Sequence, residues 1–110
     1  MDIIIQADGL TLTESLKAAV EEKIGRIEEH APRAIRARVR LRKIHSHAND
    51  GQYTVKVLCD LPGSELSVQQ SGPDPLLALD IVAEKIERRL SKIKTVRLAQ
   101  RHDPKARRKD

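Results

Sequence analysis

The sequence has almost no aromatic residues: of its 110 residues, one is Tyr and none is Phe or Trp. Proteins that bind single-stranded nucleic acid without sequence preference use aromatic side chains as stacking platforms for the bases. The composition therefore argues against that mode of binding, and a hydrophobic core has to be built from Ile, Leu, Val and Ala. The single cysteine, Cys59, excludes an internal disulfide.

Long apolar runs are also absent. No stretch approaches the roughly 20 apolar residues that a transmembrane helix needs, and no lipidation motif is present. Residues 1–9 lack the basic segment and the long apolar stretch of a signal peptide. We therefore expect a cytoplasmic protein that has no membrane partner.

Charged residues are abundant, at 34% of the chain, and the net charge is +5. Residues 95–110 contain six Lys or Arg and two Asp, whereas residues 1–94 contain 15 Lys or Arg and 14 Asp or Glu. The first part is nearly neutral, so a basic surface there requires that the charges be sorted by position. We predict one domain over residues 1–94 and a basic, disordered tail over residues 95–110, which suits nucleic acid better than lipid.

Residues 74–94 are predicted to form the helix around which the chain is organised. Asp74 is a suitable N-cap, and Pro75 suits the first helical position. At about 100° per residue, the apolar side chains share one side of this helix, namely Leu79, Val82, Ile86, Leu90 and Ile93, with Ala83 beside them and Leu76 at the edge. The cations group together on the opposite side, namely Lys85, Arg88, Arg89 and Lys92. Grouped cations favour contact with an anion, and an ordinary solvated helix surface is the alternative.

Residues 34–44 show the clearest strand pattern. Alternation with apolar residues places four arginines on one face of this strand, namely Arg36, Arg38, Arg40 and Arg42. A row of like charges repels itself, so it needs either a polyanion or acidic side chains from neighbouring strands. The sequence alone leaves both interpretations open.

The remaining segments complete a strand–helix–strand–strand–strand–helix order. Strands are predicted over residues 2–7, 52–60 and 64–70, and a helix over residues 14–29. Short connections predict an antiparallel meander of the last three strands, and the right-handed crossover rule makes the first strand parallel to its neighbour. We therefore predict an α+β fold of order β-α-β-β-β-α: a four-stranded mixed sheet with two helices packed on one face and the arginines on the open face.

No combination of residues predicts catalysis. His45 and His47 could supply half of a metal site, but nothing nearby offers two further ligands at a credible spacing, so they are interpreted as surface histidines in a loop. Cys59 lies in an apolar alternation and is interpreted as a buried, inert thiol. Asp80 and Glu84 are explained by a helix surface. We expect a protein that is not an enzyme and that uses no metal or cofactor.

Over residues 1–94 the chain resembles the short form of the ribosome hibernation promoting factors, a family also called ribosome-associated inhibitors or sigma-54 modulation proteins. The resemblance is carried by the element order and by three motifs: Thr13-Glu14-Ser15-Leu16, Leu61-Pro62-Gly63, and above all Gly72-x-Asp74-x-x-x-Ala78-Leu79-Asp80, which runs on into Glu84-Lys85-Ile86-x-Arg88-x-Leu90-x-Lys92-x-Lys94.

This resemblance implies a fold similar to the double-stranded-RNA-binding domain and a role in stress or stationary phase. It implies binding to the small ribosomal subunit between its head and body, over the mRNA and tRNA sites, so that translation is blocked and idle ribosomes are protected. The family motif implies rRNA contacts by Lys85, Arg88, Lys92 and Lys94. Arg89 falls where the motif varies, and the strand arginines match the basic character of the family.

The predicted RNA-binding residues are therefore Lys85, Arg88, Arg89, Lys92, Lys94, Arg36, Arg38, Arg40 and Arg42. We expect a monomer that binds rRNA of the small subunit, with a further factor as the partner for ribosome pairing left open. Whether the protein promotes or opposes pairing is also open. Two other functions remain: a regulator that binds structured RNA away from the ribosome, and a protein-interaction module that modulates a sigma factor.

Overall fold

The computed structural model describes residues 1–44 and 52–102, with side chains described up to Ile93. Its elements in chain order are β1 (Asp2–Asp8), α1 (Glu14–Gly25), α2 (Ile27–His30), β2 (Arg36–Ile44), β3 (Gln52–Leu61), β4 (Ser64–Gly72) and α3 (Pro75–His102). The strands form one sheet in the order β1-β2-β3-β4, with β1 parallel to β2 and the other pairs antiparallel. The predicted α+β fold and its mixed four-stranded sheet are confirmed.

The core lies between one face of the sheet and the helices. Alternate residues of β2, β3 and β4 point to this side, and their side chains are buried together with those of α1 and α3. The buried cluster includes Ala37, Val39, Leu41, Val55, Val57, Cys59 and Val68 from the sheet, Leu16, Val20 and Ile24 from α1, and Leu79, Val82, Ile86 and Leu90 from α3. The period-two pattern that buries these residues leaves the four arginines of β2 on the uncovered face.

Side-chain caps and a tight turn fix the ends of several elements. The backbone N–H of Leu76 donates to the Asp74 carboxylate at 2.9 Å, which confirms Asp74 as the N-cap of α3. Thr13 caps α1, since its hydroxyl accepts from the N–H of Leu16 at 3.2 Å. Gly63 turns the chain between β3 and β4 at φ +77°, a conformation that glycine adopts without steric cost.

The first predicted helix is interrupted. It was expected to run continuously over residues 14–29, but α1 ends at Gly25 and the four-residue α2 begins at Ile27. Glycine weakens a helix by roughly 1 kcal/mol relative to alanine, and this is where the segment breaks. Ile27 nevertheless remains buried, so both parts still cover the sheet.

The helix α3 is longer than predicted, and its buried residues differ in part from the predicted apolar stripe. It continues to His102, eight residues beyond the expected end at Lys94, because residues 95–101 contain several good helix formers and no proline. The helix thus extends into the segment that the sequence predicted as a basic, disordered tail, and the remainder of that segment lies outside the described residues. Ile93 is 37% exposed and Leu76 is 41% exposed, whereas Ala78 is buried. The buried stripe thus ends at Leu90.

Candidate nucleic-acid interface

The grouped cations of α3 lie beside the free edge of the sheet. The Lys85 ammonium donates to the Gln70 side-chain carbonyl at 2.8 Å, and the Arg89 guanidinium donates to the backbone carbonyl of Ser67 at 2.9 Å. Both acceptors belong to β4, the edge strand. We call this surface the helix flank; it is formed by Lys85, Arg88, Arg89 and Lys92.

Lys85 and Arg89 contact β4 and so lie beside the buried side of α3, where the sequence pattern predicted them on the opposite side. Ala78 lies on the same side of α3 as Lys85 and Arg89, and it is buried. This side of the helix therefore faces β4. On a different side of α3, Asp80 forms an ion pair with Lys23 of α1.

The cations of the helix flank are only weakly held by acidic side chains. Arg88 pairs with Glu84 one turn earlier on its own helix, and its side chain is 75% exposed. Exposed pairs of this type contribute about 0.3–0.5 kcal/mol, so a phosphate can replace the glutamate at small cost. Lys92 has no ion-pair or hydrogen-bond partner among the described side chains, and Lys94 lies beyond the last side chain that is described.

Cross-strand register sorts the uncovered sheet face into rows of different charge. At one end, Arg36 lies between Asp2 of β1 and Asp60 of β3, and Glu65 of β4 follows Asp60. We call this the acidic end. Two rows along, Arg40 lies between Gln6 and Lys56, and Gln69 completes that row. The next row is Asp8, Arg42, Thr54 and Ser71.

The acidic end neutralises part of the arginine row. Arg36 pairs with Asp60 at 3.5 Å, and Arg38 lies 3.4 Å from both Asp60 and Glu65. The interpretation that neighbouring acids balance the row therefore holds for these two arginines.

The charges of Arg40 and Arg42 are neutralised less by acidic side chains. Arg40 has a longer contact of 3.7 Å with Asp8 and a hydrogen bond of 3.3 Å to the Gln6 side chain. Arg42 has no acidic partner among the described residues. The sequence predicted four equivalent arginines, and the register makes them unequal.

A depression of about 620 Å³ lies at the end of the uncovered face that carries Arg42. Its charged lining consists of four cations and one acid, and its polar lining includes a hydroxyl and an amide. We call it the sheet basin; it is lined by Arg40, Arg42, Lys43, Lys56, Asp8, Thr54 and Gln69, with Gly9 and Ile44. Lys43 and Lys56 were not among the predicted site residues. Lys56 comes next to Arg40 through the register of β2 with β3, and Lys43 follows Arg42 at a position that alternation assigns to the other face.

The described residues show no grouping suited to catalysis or metal binding. Within residues 1–44 and 52–102, three or more His, Cys, Asp or Glu side chains nowhere come together in a way that could hold a metal ion. His45 and His47, the half-site considered from the sequence, lie outside this range. The helices of the described chain also include none that is long and apolar enough to cross a bilayer.

Cys59 is buried in the core, as predicted. Burial, and to a smaller extent the charge of Asp60, raises the pKa of the Cys59 thiol above its ordinary value. The thiol is therefore protonated at neutral pH, and the thiolate is the form that reacts with electrophiles.

We expect Cys59 to resist alkylation by iodoacetamide in the folded protein and to react fully once urea unfolds the chain. Mass spectrometry of samples quenched over time checks this directly. The unfolded protein is the internal control for reagent quality. Stoichiometric modification of the native protein, at the rate of a free thiol peptide, would show that the core around β3 opens readily.

The fold and its surfaces define a small α+β domain with one uncovered sheet face and two segregated groups of cations. A sequence model described as "Sigma 54 modulation protein / S30EA ribosomal protein" matches residues 3–97. The chain belongs to this family, as its motifs indicated.

Curated relatives carry the name ribosome hibernation promotion factor. The chain is 29% identical over 92 residues to the one from Deinococcus radiodurans and 30% identical over 94 residues to the one from Staphylococcus aureus strain COL. These alignments cover 84% and 83% of this chain but 48% and 47% of the relatives. The chain thus spans about half the length of the curated relatives it matches.

Solved structures show the same fold. The N-terminal domain of Thermus thermophilus Protein Y aligns with a TM-score of 0.71 at 21% identity, covering 84% of this chain and 99% of that domain. A ribosomal subunit interface protein from Coxiella burnetii aligns with a TM-score of 0.75 at 24% identity, covering 86% of this chain and 99% of its own.

Proposed function

We propose that this protein binds the small ribosomal subunit in the cytoplasm, occupies the path of mRNA and tRNA between head and body, and so promotes hibernation under stress or in stationary phase. Family membership and the names of the relatives, which refer to ribosome hibernation and to the ribosomal subunit interface, support the proposal. The action is occlusion by a bound domain, with no chemical step.

The observation that carries this proposal is the helix flank. Four cations lie along one flank of α3, next to an edge strand, and within the described residues none of them pairs with an acidic side chain from another element. Lys85, Arg88 and Lys92 are the proposed rRNA contacts, joined by Lys94 one residue beyond the described side chains. Arg89 contributes charge while its guanidinium ties α3 to β4.

Phosphate contacts of this kind position a protein on RNA without reading its sequence. Structured RNA is recognised largely by shape and through its backbone, which suits a domain that has a single aromatic residue. If about five to eight phosphates are neutralised, affinity falls by orders of magnitude between low and moderate salt. Specificity for the subunit then comes from the shape of the rRNA cleft that the domain fills.

We expect small subunits loaded with mRNA and initiator tRNA to bind this protein far more weakly than vacant subunits do. Occlusion requires the two to compete for one space, whereas binding elsewhere on the subunit does not. Co-sedimentation through a sucrose cushion, with matched loaded and vacant subunits, measures the difference. Equal binding to both would contradict occlusion and would favour an RNA-binding regulator that acts away from the decoding path.

A further inference from the structure

We infer that the sheet basin is a second RNA-backbone site, separate from the helix flank, and that the acidic end of the same sheet face limits how far RNA extends over it. This inference rests on the proposed function and deepens it. The ligand class is the sugar–phosphate backbone of folded RNA.

The basin contains cations that repel one another and that a single acid only partly neutralises. Arg40 and Lys56 lie directly opposite each other on β2 and β3, and like charges in that position destabilise a sheet. Asp8 is the single acid in the basin lining, and it contacts Arg40 at 3.7 Å. Arg42 and Lys56 have no hydrogen-bond or ion-pair partner among the described residues. A bound phosphate would relieve this repulsion.

The other end of the uncovered face differs from the basin in charge. Two rows from the basin, Asp2 and Asp60 flank Arg36, and Asp60 and Glu65 contact Arg38. An RNA strand that continued over these acids would meet like charge. The uncovered face therefore has two halves. The half at Arg42 attracts RNA phosphates, and the half at Asp60 repels them.

The basin also contains uncharged polar side chains. Thr54 and Gln69 line the basin, and the Thr54 hydroxyl lies 3.2 Å from the hydroxyl of Ser71. Hydroxyl and amide groups can both donate and accept hydrogen bonds, so they suit ribose hydroxyls and phosphate oxygens. The one aromatic residue, Tyr53, alternates with Thr54 and so belongs to the other face of β3. The side chains of the basin can therefore contact the RNA backbone, and none of them can stack on a base.

The basin and the helix flank lie at the same level along β4 but on opposite sides of the sheet. Gln69 completes the row of Arg40 and Lys56, and the adjacent Gln70 accepts from Lys85. One straight RNA segment cannot cover both sides of a sheet. The two sites therefore engage different backbone segments of a folded RNA that meet around the edge strand, and their contributions to binding are separable.

The test is a salt titration of binding to purified small subunits and, separately, to a generic RNA hairpin, using the full chain. The basin variant is Arg42→Gln with Lys56→Gln. The acidic-end variant Arg36→Gln with Arg38→Gln changes two charges on the same sheet face. A control variant, Lys17→Gln with Arg33→Gln, removes two exposed cations that belong to neither surface, one on α1 and one in the segment before β2. All six positions are on the surface or half-buried, so circular dichroism should show unchanged folds.

We expect the basin variant to bind both RNAs roughly tenfold or more weakly at low salt, with a log–log salt slope shallower by about 1 to 2. The acidic-end variant should lose less than about threefold, and the control variant should match the wild type, since exposed charges farther apart than a Debye length of about 8 Å are largely screened.

A basin variant that matches either of the other two variants would overturn the inference. If it does so while reversing the charges of the helix flank abolishes subunit binding, the inference fails and the proposed function stands. If the wild-type protein does not bind subunits but binds hairpin RNA through the basin, the proposed function is overturned and the basin is supported as an RNA site.

Discussion

Replacing Lys85, Arg88 and Lys92 together with glutamate is expected to abolish co-sedimentation of the protein with small ribosomal subunits. Each substitution removes a proposed phosphate contact and places a negative charge where the RNA backbone should lie. Hydrogen bonds to charged groups contribute about 1.5–3 kcal/mol each, so three losses weaken binding by roughly a thousandfold or more. Added repulsion increases that effect, and co-sedimentation at near-physiological salt measures it.

The matched control is the triple variant Lys17→Glu, Arg26→Glu and Arg33→Glu, which makes the same change in net charge elsewhere on the surface. Arg26 forms only an exposed pair with Glu22 at 3.5 Å, so little structure is lost. We expect this control to keep its affinity within about tenfold, because salt screens distant charges. Equal loss in the two triples would mean that net charge alone drives binding, and retained binding by the helix-flank triple would contradict the proposed function.

Arg89 is left out of the test variant for a structural reason. Its guanidinium donates to the Ser67 carbonyl at 2.9 Å and so joins α3 to the edge strand. Replacing it would remove a charge and loosen the packing of α3 at once. Keeping Arg89 means that a loss of binding reports on charge at exposed positions.

The sequence predicted the fold well because each element carried its own periodicity. Alternation in β2 assigned its arginines to one face, and spacing in α3 assigned its buried residues down to Leu90. Those patterns depend only on neighbouring positions in the chain. The same local information identified Asp74 as the cap of α3.

The properties of the site that were missed depend on register between strands. Alternation places Lys56 and Asp60 on the uncovered face of β3, but it cannot say which arginine each one opposes. The observed register places Lys56 opposite Arg40 and Asp60 opposite Arg36. A shift of two residues would have preserved both patterns and moved these partners to other arginines, for example Asp60 to Arg38 and Lys56 to Arg42.

Local sequence patterns also did not predict where the helices end. The apolar spacing of α3 ends at Ile93, so no amphipathic pattern predicts the turns that follow, although helix-forming residues continue α3 to His102. The break after Gly25 is the opposite case. There the apolar spacing continues to Ile27 while the backbone interrupts the helix.

The second large effect concerns stability, and α3 contains a matched pair of isoleucines to measure it. Ile86 is fully buried in the core, whereas Ile81 is 40% exposed on the same helix. Ile86→Ala removes three buried carbon atoms and leaves a cavity, which typically costs about 2–5 kcal/mol. Ile81→Ala changes the same atoms where water already reaches them, and surface substitutions usually stay within about 0.5 kcal/mol.

Urea denaturation followed by circular dichroism measures both variants as changes in the free energy of unfolding. Small domains have a total stability of about 5–15 kcal/mol, so Ile86→Ala is expected to shift the midpoint strongly while the remaining folded protein still binds subunits. That combination separates the two faces of α3, because the buried side holds the helix on the sheet and the helix flank meets the RNA. Ile81 lies one turn before Lys85, on the side of α3 that carries the helix flank. Equal destabilisation by the two alanines would mean that Ile81 is covered in solution, and the assignment of the helix flank as a free RNA-binding surface would have to be withdrawn.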